Sequence, residues 1–311
     1  MKKILIAGGA GFLGSNMCKR LIKDNQVICV DNFYTGKKEN IIELEKNNNF
    51  TLIEHDIIHP LDIKVDEIYN FACPASPQHY QKDFLFTLNT SVLGILNLLE
   101  LAKKYNAKLL QASTSEIYGN PLSHPQDEQY WGNVNPVGVR SCYDEGKRCA
   151  ETYLMIYHEK FGINTKIARI FNTYGENMAL DDGRVVSNFI NQAIRNQDVT
   201  VFGDGSQTRS LCYVDDLLDG LNKLMNSDIN TPVNLGNDIE LSVVDIAGLV
   251  IKLTNSKSKI IFKDLPQDDP CKRRPNLSKA KNLLDWAPKI STEEGLKRTI
   301  EYFIRKMNNE K

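Results

Sequence analysis

The chain has 311 residues, about two domains' worth and enough to bury a large core without covalent staples. It carries 38 Lys and Arg against 39 Asp and Glu, a net charge of −1, with 41% apolar and 25% charged residues. That composition excludes a disordered chain, a generally basic nucleic-acid binder and an acidic solvating tail.

Apolar periodicity lays out the elements in chain order. Residues 4–7 read as a buried strand, a glycine loop follows, and an amphipathic helix runs to about residue 23. Strands are predicted at 27–30, 50–54 and 67–72, the second of these entered through the turn-forming Asn47-Asn48-Asn49. A long helix spans 87–105 with Val92, Leu93, Leu96, Leu98 and Leu99 on its apolar side. Strands at 108–112 and 166–171 bracket a helix over 143–160. Strands alternating with helices predict an α/β fold, a Rossmann-type doubly wound parallel sheet covered on both faces.

After about residue 173 the elements shorten. Strands are predicted at 199–202, 210–213, 233–235 and 259–262, with helices near 185–197, 215–226, 241–254 and 292–306. They predict a smaller C-terminal α/β substrate lobe. The expected division is 1–173 for the cofactor domain and 174–311 for the second lobe, with some segments crossing between them. The stretch from Gln267 to Pro275 reads as a Pro-bounded loop.

No apolar run approaches the roughly 18 residues of a bilayer span, so no membrane partner is expected. The short apolar stretch behind Lys2 and Lys3 runs into glycines and makes a poor signal peptide. The seven cysteines are scattered without a Cys-x-x-Cys pair, which predicts reduced thiols and a cytoplasmic protein. His55 and His59 stand four apart, but Pro60 and the strand-like context spoil a helical metal face, so no metal is expected.

Gly8, Gly11 and Gly14 form Gly-x-x-Gly-x-x-Gly between the first strand and the first helix. Glycines there let backbone approach a pyrophosphate, and the helix start offers unpaired N–H groups and a positive dipole. Such a string alone is equally a plain turn with a helix cap. Asp31, 17 residues after Gly14 at the end of strand two, adds a carboxylate placed to accept from both ribose hydroxyls. It would repel a 2′-phosphate, favouring NAD over NADP, although Lys37 and Lys38 keep NADP open. Asp56 could take the adenine amino group or cap a turn.

Tyr143 and Lys147, four apart on a predicted helix, share a face. The ammonium, with a positive nicotinamide ring, would lower the phenol's pKa and make Tyr143 a general base. By itself the pair is more often a surface Tyr and Lys; behind a dinucleotide fold the catalytic reading prevails. Strand five runs into Ser113-Thr114-Ser115-Glu116 at the sheet's carboxyl edge, where α/β sites form. Thr114 can hydrogen-bond the reacting hydroxyl, and Glu116 is a second acid or base, or else a solvated loop charge.

These residues carry a family resemblance. The chain resembles an extended short-chain dehydrogenase/reductase acting on nucleotide sugars, and is most similar to UDP-glucuronate decarboxylases. The likeness covers nearly the whole chain. It runs through Gly8 to Gly14, Asp31-Asn32-Phe33, Pro74 to Pro77, Ala112 to Gly119, Cys142 to Arg148 and Ala168 to Thr173. Beyond these come Asp182 to Asn188, Gly205 to Arg209 and Asp268-Asp269-Pro270 with Arg273.

The resemblance implies that NAD is held by Gly8, Gly11, Phe12, Leu13, Gly14, Asp31, Asn32, Asp56, Ile57, Ala72 and Thr90, with Tyr143 and Lys147. It implies that Tyr143 deprotonates the C4 hydroxyl as hydride leaves C4, that the 4-ketone loses CO2 from C5, and that hydride then returns. Thr114, Ser115 and Glu116 complete the catalytic set, with Ser115 and Glu116 near C5 and Arg273 at the carboxylate. Asn172, Arg184, Val185, Gln207 and Arg209 would hold a UDP- or GDP-linked diphosphate. It implies a homodimer or homotetramer, with helices 87–105 and 143–160 pairing or serving only as core.

Other chemistries fit less well. A 4,6-dehydratase usually has Asp-Glu at Ser115-Glu116, and a 4-epimerase usually lacks the Glu. An NAD-binding regulator without catalysis stays open, against the intact Thr114, Tyr143 and Lys147.

Some positions depart from the decarboxylase pattern. Glu176-Asn177 stands where Pro-Arg is expected, Asn89 where Lys is, Asp62 where an apolar residue is, Asn276 where Asp is, and Val139 where Pro is. Asn89, Asn177, Asp62 and Glu176 are expected to drain positive charge from the sugar site. That reading predicts oxidation at C4 of a carboxylate-free sugar, such as a GDP-linked hexose or heptose.

Overall fold

The computed structural model describes residues 1–264 and 272–309. The predicted loop residues Gln267 to Cys271, including the Asp268-Asp269-Pro270 motif, lie outside the described residues.

The first half supplies strands β1 (Lys3–Ala7), β2 (Gln26–Asp31), β3 (Phe50–Glu54), β4 (Glu67–Asn70), β5 (Lys108–Thr114) and β6 (Thr165–Ile170). Next come β7 (Thr173–Tyr174), β8 (Val199–Phe202), β9 (Thr208–Ser210) and β10 (Cys212–Tyr213). The series ends with β11 (Val233–Leu235), β12 (Glu240–Ser242), β13 (Ile260–Lys263) and β14 (Lys272–Arg273).

Seven strands form one sheet in the order β11-β6-β5-β4-β1-β2-β3, and every neighbouring pair is parallel. This is the doubly wound order, with its switch point beside β1. The alternation of side chains builds two cores from one strand. Ile4 and Ile6 join Met17, Cys18 and Leu21 on one face, while Leu5 and Ala7 join Leu98, Leu99 and Leu154 on the other.

Several boundaries moved for local reasons. β4 stops at Asn70, not 72, because the Asn70 side-chain carbonyl accepts the Ala72 N–H at 3.1 Å. β5 runs two residues further than expected, since Ser113 and Thr114 still pair with Arg169 and Ile170 of β6. The long helix starts at Phe84, where Asp83 caps the Phe86 N–H, and contains a π-helical turn at Thr90–Gly94. That turn shifts its faces, so Leu93, expected to be apolar core, is 43% exposed.

Phe84–Tyr105 is, among the described residues, the one helix long and apolar enough to cross a bilayer, contrary to the sequence expectation. It packs instead on the helix Ser141–Phe161 and on β4 and β5.

Among the described residues the smaller lobe holds three short sheets, β10-β7, β12-β9-β14 and β13-β8. The predicted strand at 210–213 is two strands, β9 and β10. β11 belongs to the large sheet rather than the small lobe, because it pairs with β6 through Val233 to Leu235. The chain after residue 173 therefore returns to the cofactor domain, and a single cut does not divide the lobes. The helix Ser278–Leu284 was not foreseen; it buries only Ala280 and Leu284, too few apolar positions to show a period.

Candidate active site

One cleft of about 510 Å³ runs from the glycine loop across the carboxyl edge of the sheet to the small lobe. Every cofactor, catalytic and substrate residue singled out from the sequence lies on its wall.

At the cofactor end, the glycine turn is tight for steric reasons. Gly8 has φ +72°, and a Cβ there would meet the backbone of Ala72 at 2.7 Å; a Cβ on Gly14 would fall 2.0 Å from the Gly8 carbonyl oxygen. Gly11 would meet only that carbonyl, at 3.2 Å, so its backbone stays accessible. The helix Phe12–Leu21 begins at Gly11 with no side-chain cap, leaving its first N–H groups for an anion.

Asp31 ends β2 and is buried; its carboxylate accepts the N–H groups of Ala10 and Phe33, both at 2.8 Å. Burial still raises its pKa, against those two hydrogen bonds. Each oxygen keeps a lone pair for a ribose hydroxyl. Asp56 accepts from Ile58 N–H at 3.0 Å and from Asn32 at 2.9 Å, so its turn-forming role is present and it also faces the cleft. Thr90 donates its hydroxyl to the Phe86 carbonyl at 2.8 Å. Lys38 turns to Glu54 at 3.2 Å, and Lys37 lines the cleft. An accessible helix start, a tight glycine turn and a buried carboxylate at a strand end fit a dinucleotide with free ribose hydroxyls.

At the catalytic end, Tyr143 and Lys147 project from one face of the helix Ser141–Phe161. Lys147 is buried and its ammonium donates to the Ala112 carbonyl at 2.9 Å, which fixes it 5.7 Å from the Tyr143 ring centre. Burial lowers the Lys147 pKa. Thr114 hydrogen-bonds the Tyr143 phenol and receives the Glu116 N–H at 3.2 Å.

The expected lowering of the phenol's pKa is not produced by the protein's own groups. Burial and then Cys73 push Tyr143 well up, and the Thr114 hydrogen bond only opposes this. The ammonium is spent on a backbone carbonyl, so the phenol needs a further positive charge against it.

Glu116 lies between two guanidiniums, Arg273 from β14 and Arg140 from the residue before the Tyr143 helix. Burial works to raise its pKa, but Arg273 and Arg140 outweigh it and hold the carboxyl at about 2. It is therefore no solvated loop charge. Arg273 is 2% exposed and also donates to Ser115 Oγ at 3.1 Å and to the Gly119 carbonyl at 3.2 Å.

Arg140 was missed from the sequence, because it precedes a helix in an irregular stretch and belongs to no periodic pattern. Tyr80 was missed for a similar reason. It sits in the short helix Pro77–Tyr80 and stacks on Tyr143 at 5.2 Å and 7°.

At the far end, Asn172, Arg184, Val185, Gln207 and Arg209 face the cleft. Arg184 is a two-point partner of Asp182, at 2.5 and 2.8 Å, and its guanidinium lies 6.0 Å over the Phe12 ring. Gln207 donates to the Phe202 carbonyl at 2.5 Å, and Arg209 to the Thr208 carbonyl at 2.8 Å.

The expected loss of positive charge around the sugar is not what the structure shows. Asp62 is exposed, bound to Lys104 and to the Tyr105 hydroxyl, each at 2.7 Å, and lies off the cleft. Asn89 is an exposed helix residue, and Glu176 accepts from the Tyr213 hydroxyl; neither lines the cleft. Asn276 donates its N–H to the Gln126 carbonyl at 2.7 Å, and Val139 is 40% exposed. Only Asn177 reaches the cleft; at φ +64° its amide donates to Ser15 Oγ at 3.0 Å. A family pattern marks positions but not directions, and most of these side chains point away.

Among the described residues no cluster of His, Cys, Asp and Glu could hold a metal. The His55 ring instead contacts the His59 carbonyl at 3.1 Å. Six described cysteines are free.

The model of the GDP-mannose 4,6 dehydratase family matches residues 5–299. A UDP-glucuronic acid decarboxylase 1 of Arabidopsis thaliana is 53% identical over 309 residues, covering 99% of this chain and 71% of the relative. A UDP-glucuronic acid decarboxylase 1 of Danio rerio is 52% identical, over 99% of this chain and 74% of the relative. The solved UDP-glucuronic acid 4-epimerase of Bacillus cereus, in complex with UDP-glucuronic acid and NAD, superposes with a TM-score of 0.88 at 29% identity. That match covers 97% of this chain and 99% of the epimerase.

Proposed function

This chain belongs to the nucleotide-sugar branch of the extended short-chain dehydrogenases/reductases, and we propose that it converts UDP-glucuronate to UDP-xylose and CO2 with NAD returned unchanged. The observation that carries this is the Glu116–Arg273–Arg140 cluster beside Thr114, Tyr143 and Lys147. It sets an ionised carboxylate and two cations next to the group that abstracts the C4 proton. The likeness to decarboxylases at 53% and 52% identity supports the same reading.

The glycine turn, Asp31, Asn32 and Asp56 would hold NAD. When bound, NAD supplies the hydride acceptor and donor and, oxidised, a positive ring. Tyr143 takes the C4 hydroxyl proton, with Thr114 steering that hydroxyl and Lys147, anchored on the Ala112 carbonyl, placing its charge 5.7 Å from the centre of the phenol ring. With C4 a ketone, the C5 carboxylate is that of a β-keto acid, and its C–C electrons pass into the C4 carbonyl as CO2 leaves. The Thr114 and Tyr143 hydroxyls stabilise the resulting enolate oxygen. Arg273 and Arg140 orient the substrate carboxylate, while Ser115 and Glu116 face C5. Arg184 and Arg209 would bind the diphosphate; for Arg184 this means exchanging part of its Asp182 pairing.

The exposed apolar Leu85, Leu88 and Leu93 with Ile156 and Phe161 on the two long helices support a homodimer or homotetramer. The free thiols support a cytoplasmic location.

NMR of the products from UDP-glucuronate and from UDP-glucose tests the assignment. UDP-xylose from the first and no change in the second is expected. UDP-galacturonate or UDP-galactose would make the chain an epimerase instead.

A further inference from the structure

Behind Glu116 lies a second cavity, of about 100 Å³, lined by Glu116, Gly119, Asn120, Asn133, Asn135, Arg140, Asp144 and Arg273. Glu116, Arg140 and Arg273 also line the main cleft, so they form the wall between the two spaces. The inner side is buried and polar. Asp144 is 6% exposed and Arg273 2%; among the described residues, Asp144 Oδ1 and Arg273 Nε have no hydrogen-bond partner. The outer rim, Asn120, Asn133 and Asn135, is exposed. Buried polar atoms ordinarily find partners, and at about 30 Å³ per molecule this space takes roughly three waters.

We propose that this chamber holds water bound to Asp144 and Arg273, and that Asp144 is the proton reserve that reaches C5 through Glu116. The proposal rests on the decarboxylase reading and deepens it. Loss of CO2 leaves an enolate whose C5 must be protonated. Asp144 gives its proton to chamber water, the water passes one to the Glu116 carboxylate, and Glu116 delivers it to C5. The C4=C5 electron pair becomes the new C5–H bond and C4 is a ketone again. Asp144, left as a carboxylate, regains a proton from solvent across the asparagine rim.

The surrounding charges agree with this. Asp144 faces Arg140 and Glu145 from its own stretch of chain, Glu116 after β5, Arg273 on β14 and Tyr80 from the short helix. Burial first and Glu116 second raise its pKa to about 8, against Arg140 and Arg273. Arg140 Nε stands 4.0 Å from Asp144 Oδ2, too far for a hydrogen bond. Glu116, held ionised by both arginines, has no proton of its own at neutral pH to give.

The test is Asp144→Asn in the NAD-loaded enzyme, with Asn135→Phe filling the chamber from its exposed rim. In the wild type, kcat falls as pH rises through about 8, where the reserve loses its proton. In Asp144→Asn the alkaline fall disappears and UDP-xylose formation drops about a hundredfold. A single turnover still releases CO2 and leaves bound NADH. Asn135→Phe gives the same early CO2 with slow product, and it carries the test if Asp144→Asn folds poorly. Wild-type rates in both variants overturn the proposal. So does a folded, NAD-loaded Asp144→Asn that loses the first oxidation equally. A wild type that releases no CO2 from UDP-glucuronate refutes the decarboxylase reading itself.

Discussion

Replacing Glu116 by Gln keeps the side chain's shape and removes its charge. Arg140 and Arg273 then lose the carboxylate they share, and Arg273, at 2% exposure, cannot turn to water. A carboxyl moved from an ordinary 4.5 to about 2 by its surroundings carries about 3 kcal/mol of pH-dependent stability. Breaking a buried ion pair from one side costs a comparable 3–5 kcal/mol, roughly.

The sign follows from the depressed value. The contribution is complete above pH 4.5 and is lost as pH falls through about 2. Urea unfolding should therefore place Glu116→Gln roughly 3 kcal/mol below the wild type at pH 7, with the gap narrowing below pH 4.5 to about half by pH 3. Equal stability at pH 7, or a gap independent of pH, would refute the ion-pair geometry around Glu116.

Other expectations follow from single contacts. Gly14→Ala puts a Cβ 2.0 Å from the Gly8 carbonyl and should strip the purified protein of NAD, read from its absorbance after denaturation. Tyr143→Phe should abolish turnover and leave NAD content unchanged; retained turnover would remove Tyr143 from the mechanism. Asp62→Ala, off the cleft and paired with Lys104 and Tyr105, should change kcat/KM for UDP-glucuronate by less than about twofold. A larger effect would return Asp62 to the sugar site.

The cofactor half of the molecule was legible because strand period, glycine spacing and a strand-end carboxylate are local signals, and β1 to β6 obey them in order. The Tyr143–Lys147 spacing was legible for the same reason. What escaped depends on distant pairing. β11 looks like part of the small lobe until its ladder with β6 is seen. Arg140 and Tyr80 gain meaning only when loops close over Tyr143. That burial and Cys73 raise the Tyr143 pKa in the protein by itself, leaving its lowering to a positive ring of a bound cofactor, is a tertiary fact that spacing does not reveal. Asp62, Asn89 and Glu176 looked chemical in sequence because position was visible and orientation was not.

The proposed reaction loses one CO2 for each UDP-pentose made, with NAD neither consumed nor accumulated as NADH. Incubating the purified protein with UDP-[6-13C]glucuronate, while following carbonate signal, UDP-xylose and absorbance at 340 nm together, measures all three. A one-to-one ratio of labelled carbonate to UDP-xylose with no net NADH at the end is the predicted result. Label retained in a UDP-hexuronate, or NADH rising in step with product, would contradict the account.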